Sequence, residues 1–204
     1  MGIKASQVKE LRDRSGAPMM DCKAALVEAG GDLDQAHRIL RQKGQASAAR
    51  RQARVTSEGA VGSYIHGGGK IGVLLEVNCE TDFVARTDDF HALLKDLAMH
   101  IAAAEPRFIE RGEVTEAVLA EEKEIYRQQA KATGKPDAVV EKIVTGKMEK
   151  FYQEFCLLEQ PFVRDPNVSV RDRIGGVIAK VGENIRVRRF TRYVLGQDEA
   201  RRSD

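Results

Sequence analysis

An alternation of apolar and polar residues in KIGVLLEVNC, residues 70–79, constrains the fold of this chain more than any other feature. Side chains two positions apart point to the same face of a strand, so the segment predicts a strand with one buried face. The side chains assigned to that face are Ile71, Val73, Leu75, Val77 and Cys79. The preceding segment AVGSYIH, residues 60–66, is the simplest antiparallel partner.

The connection between these strands, HGGGK at residues 66–70, is rich in glycine but does not predict a phosphate-binding loop. A Walker loop joins a strand to a helix, whereas strands are predicted on both sides of this connection. We therefore predict a hairpin turn.

Residues 5–44 follow the helical period and predict three short helices. Gly16 is a candidate left-handed cap for the first helix, and Pro18 suits the first turn of the second. Asp32 is the candidate N-cap of the third. Because three helices in about 40 residues form a domain of marginal stability, this part is typical of a docking module.

A basic segment, residues 41–54, contains Lys and Arg but no acid, and we interpret it as a solvated linker. A contact with an acidic partner or RNA is the alternative. Over the whole chain, 33 basic and 31 acidic residues give a net charge of +2, which does not indicate direct nucleic-acid binding. We place a docking domain with this linker at residues 1–50 and an α+β core at residues 51–204.

The remaining segments predict a core of helices and one further strand. The predicted elements are a helix through Phe90, Leu94, Leu97 and Ile101, a helical hairpin over 115–132 and 136–158, a turn around 160–167, a helix through Val170, Ile174 and Ile178, and a last, edge strand at 185–195. The fold class is therefore α+β, with a small antiparallel sheet packed against helices.

The residues predict neither a membrane segment nor a catalytic centre. No run approaches 18 apolar residues, and Cys22, Cys79 and Cys156 lie far apart without a C-x-x-C pair. Such cysteines are typical core residues of a reduced compartment, so we expect a cytoplasmic protein. No Ser-His-Asp or Cys-His arrangement is evident, and we expect no enzyme activity, cofactor or metal.

The segment TDFVAR, residues 81–86, places an acid and a phenylalanine directly after the predicted strand. Thr81 is a candidate cap for a short turn that would hold Phe83 outward at the strand's exit. The alternative makes Phe83 a core residue and Asp82 a capping acid. Spacing alone favours this alternative, because a buried phenylalanine contributes roughly 1.5–3 kcal/mol to a core.

Several motifs together resemble the bacterial elongation factor Ts family. The segments that carry the resemblance are KELRDRSGAPMMDCKAAL at 9–26, GSYIH at 62–66, VNCETDFVAR at 77–86 and KVGENIRVRR at 180–189. The resemblance implies a guanine-nucleotide exchange factor for elongation factor Tu, the GTPase that delivers aminoacyl-tRNA. It also implies a ubiquitin-associated-like N-terminal domain followed by an α+β core.

The resemblance further implies which residues contact the partner. Asp82 and Phe83 match the T-D-F-V pair that enters the partner's magnesium and phosphate site. His66, from G-S-Y-x-H, and Val181, the aliphatic residue before G-E-N, are implied to join this contact. Without the resemblance, His66 is a solvated loop residue and Val181 a core residue at a helix end.

Arg12, Met19 and Met20 resemble the residues that dock the N-terminal domain on a helix of the partner. The alternative is that the two methionines seal the small domain, although adjacent helical residues cannot both face one core.

The chain holds a single copy of the core unit that longer family members carry twice. It is similar to the short members that act as homodimers, which implies that residues 51–204 also form a dimerisation domain. Whether His66 and Phe83 in contact with one partner molecule belong to the same chain stays open. An RNA-binding adaptor and a small enzyme are the rival classes.

Overall fold

The computed structural model describes residues 2–197, with the side chain of Ser47 excepted. Its helices are α1 (Ala5–Ser15), α2 (Met19–Glu28), α3 (Leu33–Arg51), α4 (Asp82–Ala85), α5 (Asp88–Ala104), α6 (Glu116–Lys131), α7 (Asp137–Phe155) and α8 (Val170–Val181). Its strands are β1 (Glu58–His66), β2 (Ile71–Cys79), β3 (Pro161–Phe162), β4 (Asp165–Ser169) and β5 (Ile185–Val194). The α+β prediction is confirmed.

A three-stranded sheet has the order β1-β2-β5, so β5 lies at an edge as predicted. The Lys70 N–H donates to the His66 carbonyl at 3.2 Å, which closes the predicted hairpin turn, and the Leu195 N–H donates to the Lys70 carbonyl at 2.9 Å. The face of β2 made by Val73, Leu75, Val77 and Cys79 is buried. The period of two therefore identified the buried side chains of β2 correctly, except that Ile71 is only half-buried.

The chain divides into two compact units. The first unit comprises residues up to Gly62, Leu75–Asp96 and Arg171–Phe190. The second unit comprises Ser63–Leu74, Leu97–Val170 and the residues from Thr191 onward. Each strand of the three-stranded sheet, and α5, contributes residues to both units. Each unit is therefore made of three separate stretches of the sequence.

In the first unit, α1, α2 and α3 form the predicted three-helix arrangement around their own apolar cluster. The buried members of this cluster are Val8, Leu11, Cys22, Ala25, Leu26 and Ala36. Gly16 has φ 67°, the left-handed conformation that ends α1 without the steric cost of a Cβ. The Asp32 carboxylate accepts from the Gln35 N–H at 2.7 Å and caps α3, as predicted.

The third helix is longer than predicted, because α3 continues to Arg51 and includes most of the basic segment. The interpretation of this segment as a linker is therefore wrong for residues 41–51. Arg41 and Gln45 both donate to the carboxylate of Asp172 on α8. The two helices lie close together here, since a Cβ at Gly44 would be in van der Waals contact with the Cβ of Ala179, at 3.7 Å. The second half of α3 is thus held against α8.

In the second unit, α6 and α7 form the predicted helical hairpin around a separate apolar cluster. Its buried members are Val114, Ala130, Val140, Val144, Met148, Phe151 and Cys156. The predicted turn around residues 160–167 is instead a small hairpin in which β3 pairs with β4 in antiparallel register. This hairpin is irregular between Pro161 and Phe162.

A buried histidine joins α5 to the segments after α7 within the second unit. Nε2 of His100 lies 2.9 Å from Oε1 of Gln160, and Nδ1 accepts from the Val163 N–H at 3.2 Å. The ring therefore carries its proton on Nε2 and is neutral. Burial lowers the pKa of His100, which favours this neutral form. We assign His100 a structural role.

Candidate partner-binding site

The Phe83 turn, residues 81–86, is separated from the end of β2 at Cys79 by one residue, Glu80. Thr81 is the residue before α4, the single helical turn Asp82–Ala85. Val84 and Ala85 of this turn face inward and are buried. Because successive helical residues point in different directions, the burial of this pair turns Phe83 outward. The Phe83 side chain is 78% exposed, so the alternative of a core phenylalanine is wrong.

Thr81 occupies the predicted N-cap position, but its side chain makes no capping hydrogen bond. The Thr81 hydroxyl donates instead to Oε1 of Glu183 at 2.7 Å, and the Thr81 N–H donates to Oε2 of the same carboxylate at 3.0 Å. The Cys79 thiol donates to the Thr81 carbonyl at 3.1 Å. Burial raises the pKa of Cys79 to about 11, so this thiol keeps its proton at neutral pH.

The loop Gly182–Glu183–Asn184, here called the GEN loop, connects α8 to β5 and gathers several segments of the first unit. Asn184 is buried, and its N–H donates to Oε1 of Glu80 at 2.6 Å. Its side-chain amide donates to the carbonyl of Arg54 at 3.0 Å. Nε of Arg51 donates to the carbonyl of Gly182 at 3.0 Å. The GEN loop thereby joins the end of β2 to the chain at the end of α3.

Asp82 makes an ion pair within the turn, in which Arg86 donates to Oδ2 at 2.7 Å. Both side chains are substantially exposed, so water and salt screen their attraction. The Asp82 carboxylate therefore keeps the capacity to exchange Arg86 for another positively charged group.

The other predicted contact residues lie in two different places. Val181 is the last residue of α8 and is half-buried, next to the GEN loop in the first unit. His66 is the exposed last residue of β1 and belongs to the second unit. Nδ1 of His66 lies 3.0 Å from the Tyr64 hydroxyl, and the two rings stack with centroids 5.8 Å apart. The Tyr64 contact orients the imidazole.

The predicted docking residues are exposed on the three-helix part of the first unit. Arg12 lies on α1, while Met19 and Met20 form the beginning of α2 and are 44% and 70% exposed. Cys22, three residues after Met19, already faces the core. Both methionines are thus available for contact, and the alternative that they seal the small domain is wrong.

Sequence reasoning did not identify Glu80, Glu183 and Asn184 as parts of this site. Glu183 binds a residue 102 positions away, and Asn184 binds residues 104 to 132 positions away, beyond the reach of any local pattern. The available signal was the pair of polar residues in the GEN loop between an apolar helix and an apolar strand. Polar side chains at such a position often form hydrogen bonds with the backbone N–H and C=O groups of another segment.

The part of the chain that the structure describes contains no group of three or more His, Cys, Asp or Glu side chains suited to a metal ion. Cys22, Cys79 and Cys156 are free and buried, in agreement with their predicted role as core residues. Within residues 2–197, no helix combines the length and apolar character needed to cross a bilayer.

Comparison with known proteins gives the family. The family model "Elongation factor TS" matches residues 33–176. The chain is 61% identical over 196 residues to elongation factor Ts of Koribacter versatilis, covering 96% of this chain and 90% of that protein. It is 57% identical over 205 residues to elongation factor Ts of Geobacter sulfurreducens, covering 100% and 95% respectively. These matches extend over nearly the whole sequence, and the chain therefore belongs to the elongation factor Ts family.

Proposed function

We propose that the chain is a guanine-nucleotide exchange factor that promotes GDP release from elongation factor Tu during translation elongation. It acts by binding and is not a catalytic enzyme. The observation that carries this proposal is the outward position of Phe83 on a turn that is anchored by Glu183. A large apolar ring that its own fold leaves in water is available to be buried in a partner.

In this proposal, Phe83 enters the partner near its magnesium and phosphate site while Asp82 places a carboxylate beside it. A negative charge at that position competes with the phosphates for hydrogen-bond donors and for water molecules near the magnesium ion. Exchange needs no proton transfer or covalent step, because factor and nucleotide need only bind antagonistically to the same GTPase.

The energetics require more contacts than Phe83 alone. Each tenfold loss of nucleotide affinity corresponds to about 1.4 kcal/mol, and burial of one phenyl ring contributes roughly 1.5–3 kcal/mol. A loss of several powers of ten therefore needs a wider interface. We assign the remainder to Val181, to His66 and to the docking residues Arg12, Met19 and Met20.

The docking role of residues 1–50 is best tested by substitution. Deletion at residue 50 would also remove the half of α3 that lies against α8, so a loss of binding would have two explanations. Met20→Lys leaves the helix intact, since this side chain is mostly exposed. We expect it to weaken binding to elongation factor Tu about tenfold. The variant lacks the contact of the methionine side chain with the partner, and we expect this loss to cost about 1.4 kcal/mol of binding free energy.

Titration calorimetry measures this affinity directly. The control is Val139→Lys on α7, which adds the same charge at another exposed apolar position. Equal affinities for Met20→Lys and the unsubstituted chain would exclude Met20 from the interface.

Mutual antagonism with GDP tests the proposed function itself. Immobilised chain should retain elongation factor Tu from solution and should release it when GDP is added in excess. GDP raises the dissociation constant of the chain for elongation factor Tu by some ratio. Linkage requires that the chain raises the dissociation constant of GDP for elongation factor Tu by the same ratio. Retention that does not change with GDP concentration would reject exchange and favour a simple scaffold.

The contacts of the basic segment favour exchange over an RNA-binding adaptor. Arg41, Lys43 and Arg54 pair with Asp172, Glu28 and Glu80, so these cations serve the fold of the first unit. Binding through free cations would instead weaken steeply with added salt. We therefore propose that the chain does not bind nucleic acid directly.

We also propose that the chain works in the cytoplasm as a homodimer, with residues 51–204 supplying the dimer contact. Exposed apolar side chains on the strand segments of the second unit and directly after β5 support a self-association surface. They are Ile65, Leu74, Tyr193 and Leu195. In such a dimer, one molecule of elongation factor Tu can contact Phe83 of one chain and His66 of the other.

A further inference from the structure

We propose that Glu183 is a positioning residue for exchange, whose carboxylate fixes the Phe83 turn to the GEN loop. This inference rests on the proposed function, because it assigns a mechanical role within the same interface. In this role, Glu183 acts through its hydrogen bonds to Thr81.

Thr81 is held by hydrogen bonds on all of its polar groups. Glu183 accepts from both the N–H and the hydroxyl of Thr81, at 3.0 and 2.7 Å, and the Cys79 thiol binds the Thr81 carbonyl. Hydrogen bonds to an ionised carboxylate are roughly twice as strong as those between neutral groups. One side chain therefore fixes the backbone and the side chain of Thr81 together.

Glu183 holds the N-terminal end of the Phe83 turn, whereas the buried side chains of Val84 and Ala85 hold its C-terminal end. α4 is a single turn of four residues without a side-chain cap, and the Phe83 ring makes few contacts with its own fold because it is 78% exposed. The direction of the ring is consequently set by the backbone at its root. That backbone begins at Thr81, whose N–H the Glu183 carboxylate binds in the way that the acidic residue of a capping box binds the N–H of an N-cap residue.

The GEN loop also binds the chain at the end of α3 and directly follows Val181. Glu183 lies two residues after Val181, and the neighbouring Asn184 binds the carbonyl of Arg54 beyond the end of α3. Arg51, the last residue of α3, binds the loop at Gly182. The three residues of the GEN loop therefore hold three segments together. These are the turn with Phe83, the end of α8 with Val181 and the end of α3.

The test uses full-length variants and the rate of GDP release from elongation factor Tu at increasing concentrations of factor. Glu183→Ala is expected to lower the maximal rate about tenfold while changing the half-saturating concentration by less than about threefold. A purely structural loss would reduce the amount of active factor, which raises the half-saturating concentration and leaves the maximal rate unchanged. That second pattern would overturn the inference.

Two further variants make the result specific. Glu183→Gln keeps the shape and one acceptor oxygen, so its maximal rate should lie between those of Glu183→Ala and the unsubstituted chain. Glu28→Ala removes another carboxylate of the first unit, one that pairs with Lys43, and should keep the full rate. A rate for Glu183→Gln as low as that for Glu183→Ala, with an equal loss for Glu28→Ala, would indicate a general charge effect and overturn the assignment.

Hydrogen exchange provides a readout that does not depend on activity. The Thr81 amide should exchange much faster in Glu183→Ala, with the amides of α6 and α7 unchanged. The proposed function fails if the unsubstituted chain does not accelerate GDP release. The positioning role alone fails if Phe83→Ala slows release but Glu183→Ala does not.

Discussion

Phe83→Ala is expected to lower the maximal rate of stimulated GDP release from elongation factor Tu by about tenfold to one hundredfold. The removed ring would otherwise bury its surface in the partner, which contributes roughly 1.5–3 kcal/mol, and each 1.4 kcal/mol corresponds to a factor of about ten. Stability should change by less than about 0.5 kcal/mol, because the ring is 78% exposed in its own fold.

Stopped-flow fluorescence with a labelled GDP measures the release rate, and urea unfolding measures the stability of each variant. Val55→Ala is the matched control, since Val55 is 81% exposed and lies outside the proposed interface. Insertion of the ring would be ruled out if Phe83→Ala and Val55→Ala released GDP equally fast.

The largest loss of stability is expected for Gly59→Ala, at the beginning of β1. Gly59 has φ 144°, a conformation that residues with a side chain rarely adopt. A Cβ there would lie 2.2 Å from the carbonyl oxygen of Val77 and 2.7 Å from Cα of Asn78. Both atoms belong to the backbone of β2 and cannot rotate away, so we expect a loss of at least about 3 kcal/mol.

Gly72→Ala in β2 is the control for this substitution. Its Cβ would meet only the Cδ1 atom of Ile65 at 3.3 Å, the flexible end of a side chain. We expect a change within about 1 kcal/mol for this variant. The midpoints of urea unfolding, compared at equal protein concentration, measure both effects. Equal midpoints for the two variants would show that the backbone at Gly59 adapts to a side chain.

The sequence predicted those elements whose periodicity is set by burial. The alternation in β2 and the apolar stripe of α5 identified most of their buried residues, because each element lays one face against a core. The left-handed glycine at Gly16 and the cap at Asp32 were predictable for a local reason. Each satisfies backbone groups within a few residues of its own position.

The prediction failed where local composition and tertiary contact disagree. The charges of residues 41–51 indicated a solvated linker, yet Arg, Gln and Ala are good helix formers and Asp172 supplies a distant carboxylate for Arg41 and Gln45. The β3–β4 hairpin was missed because its two strands are short and each contains a proline.

The direction of Phe83 was beyond sequence reasoning for a different reason. Val84 and Ala85 take the inward positions of α4, but Phe83 is the larger apolar residue, and the gain from burying it favoured the opposite assignment. Family resemblance, rather than periodicity, indicated an outward ring. The anchor of that ring, Glu183, is separated from Thr81 by 102 residues.

The length of α3 has a consequence for the choice of partner. As a single helix of 19 residues, it measures about 28 Å at 1.5 Å per residue. Its first half belongs to the cluster beneath the docking residues, and its last residue is bonded to the GEN loop. The helix thus sets the distance between the proposed docking residues and the GEN loop. If the proposed docking residues and the Phe83 turn both contact the GTPase, a GTPase with the two complementary surfaces at another spacing would bind only one of them, and selectivity would depend on distance as well as on surface chemistry.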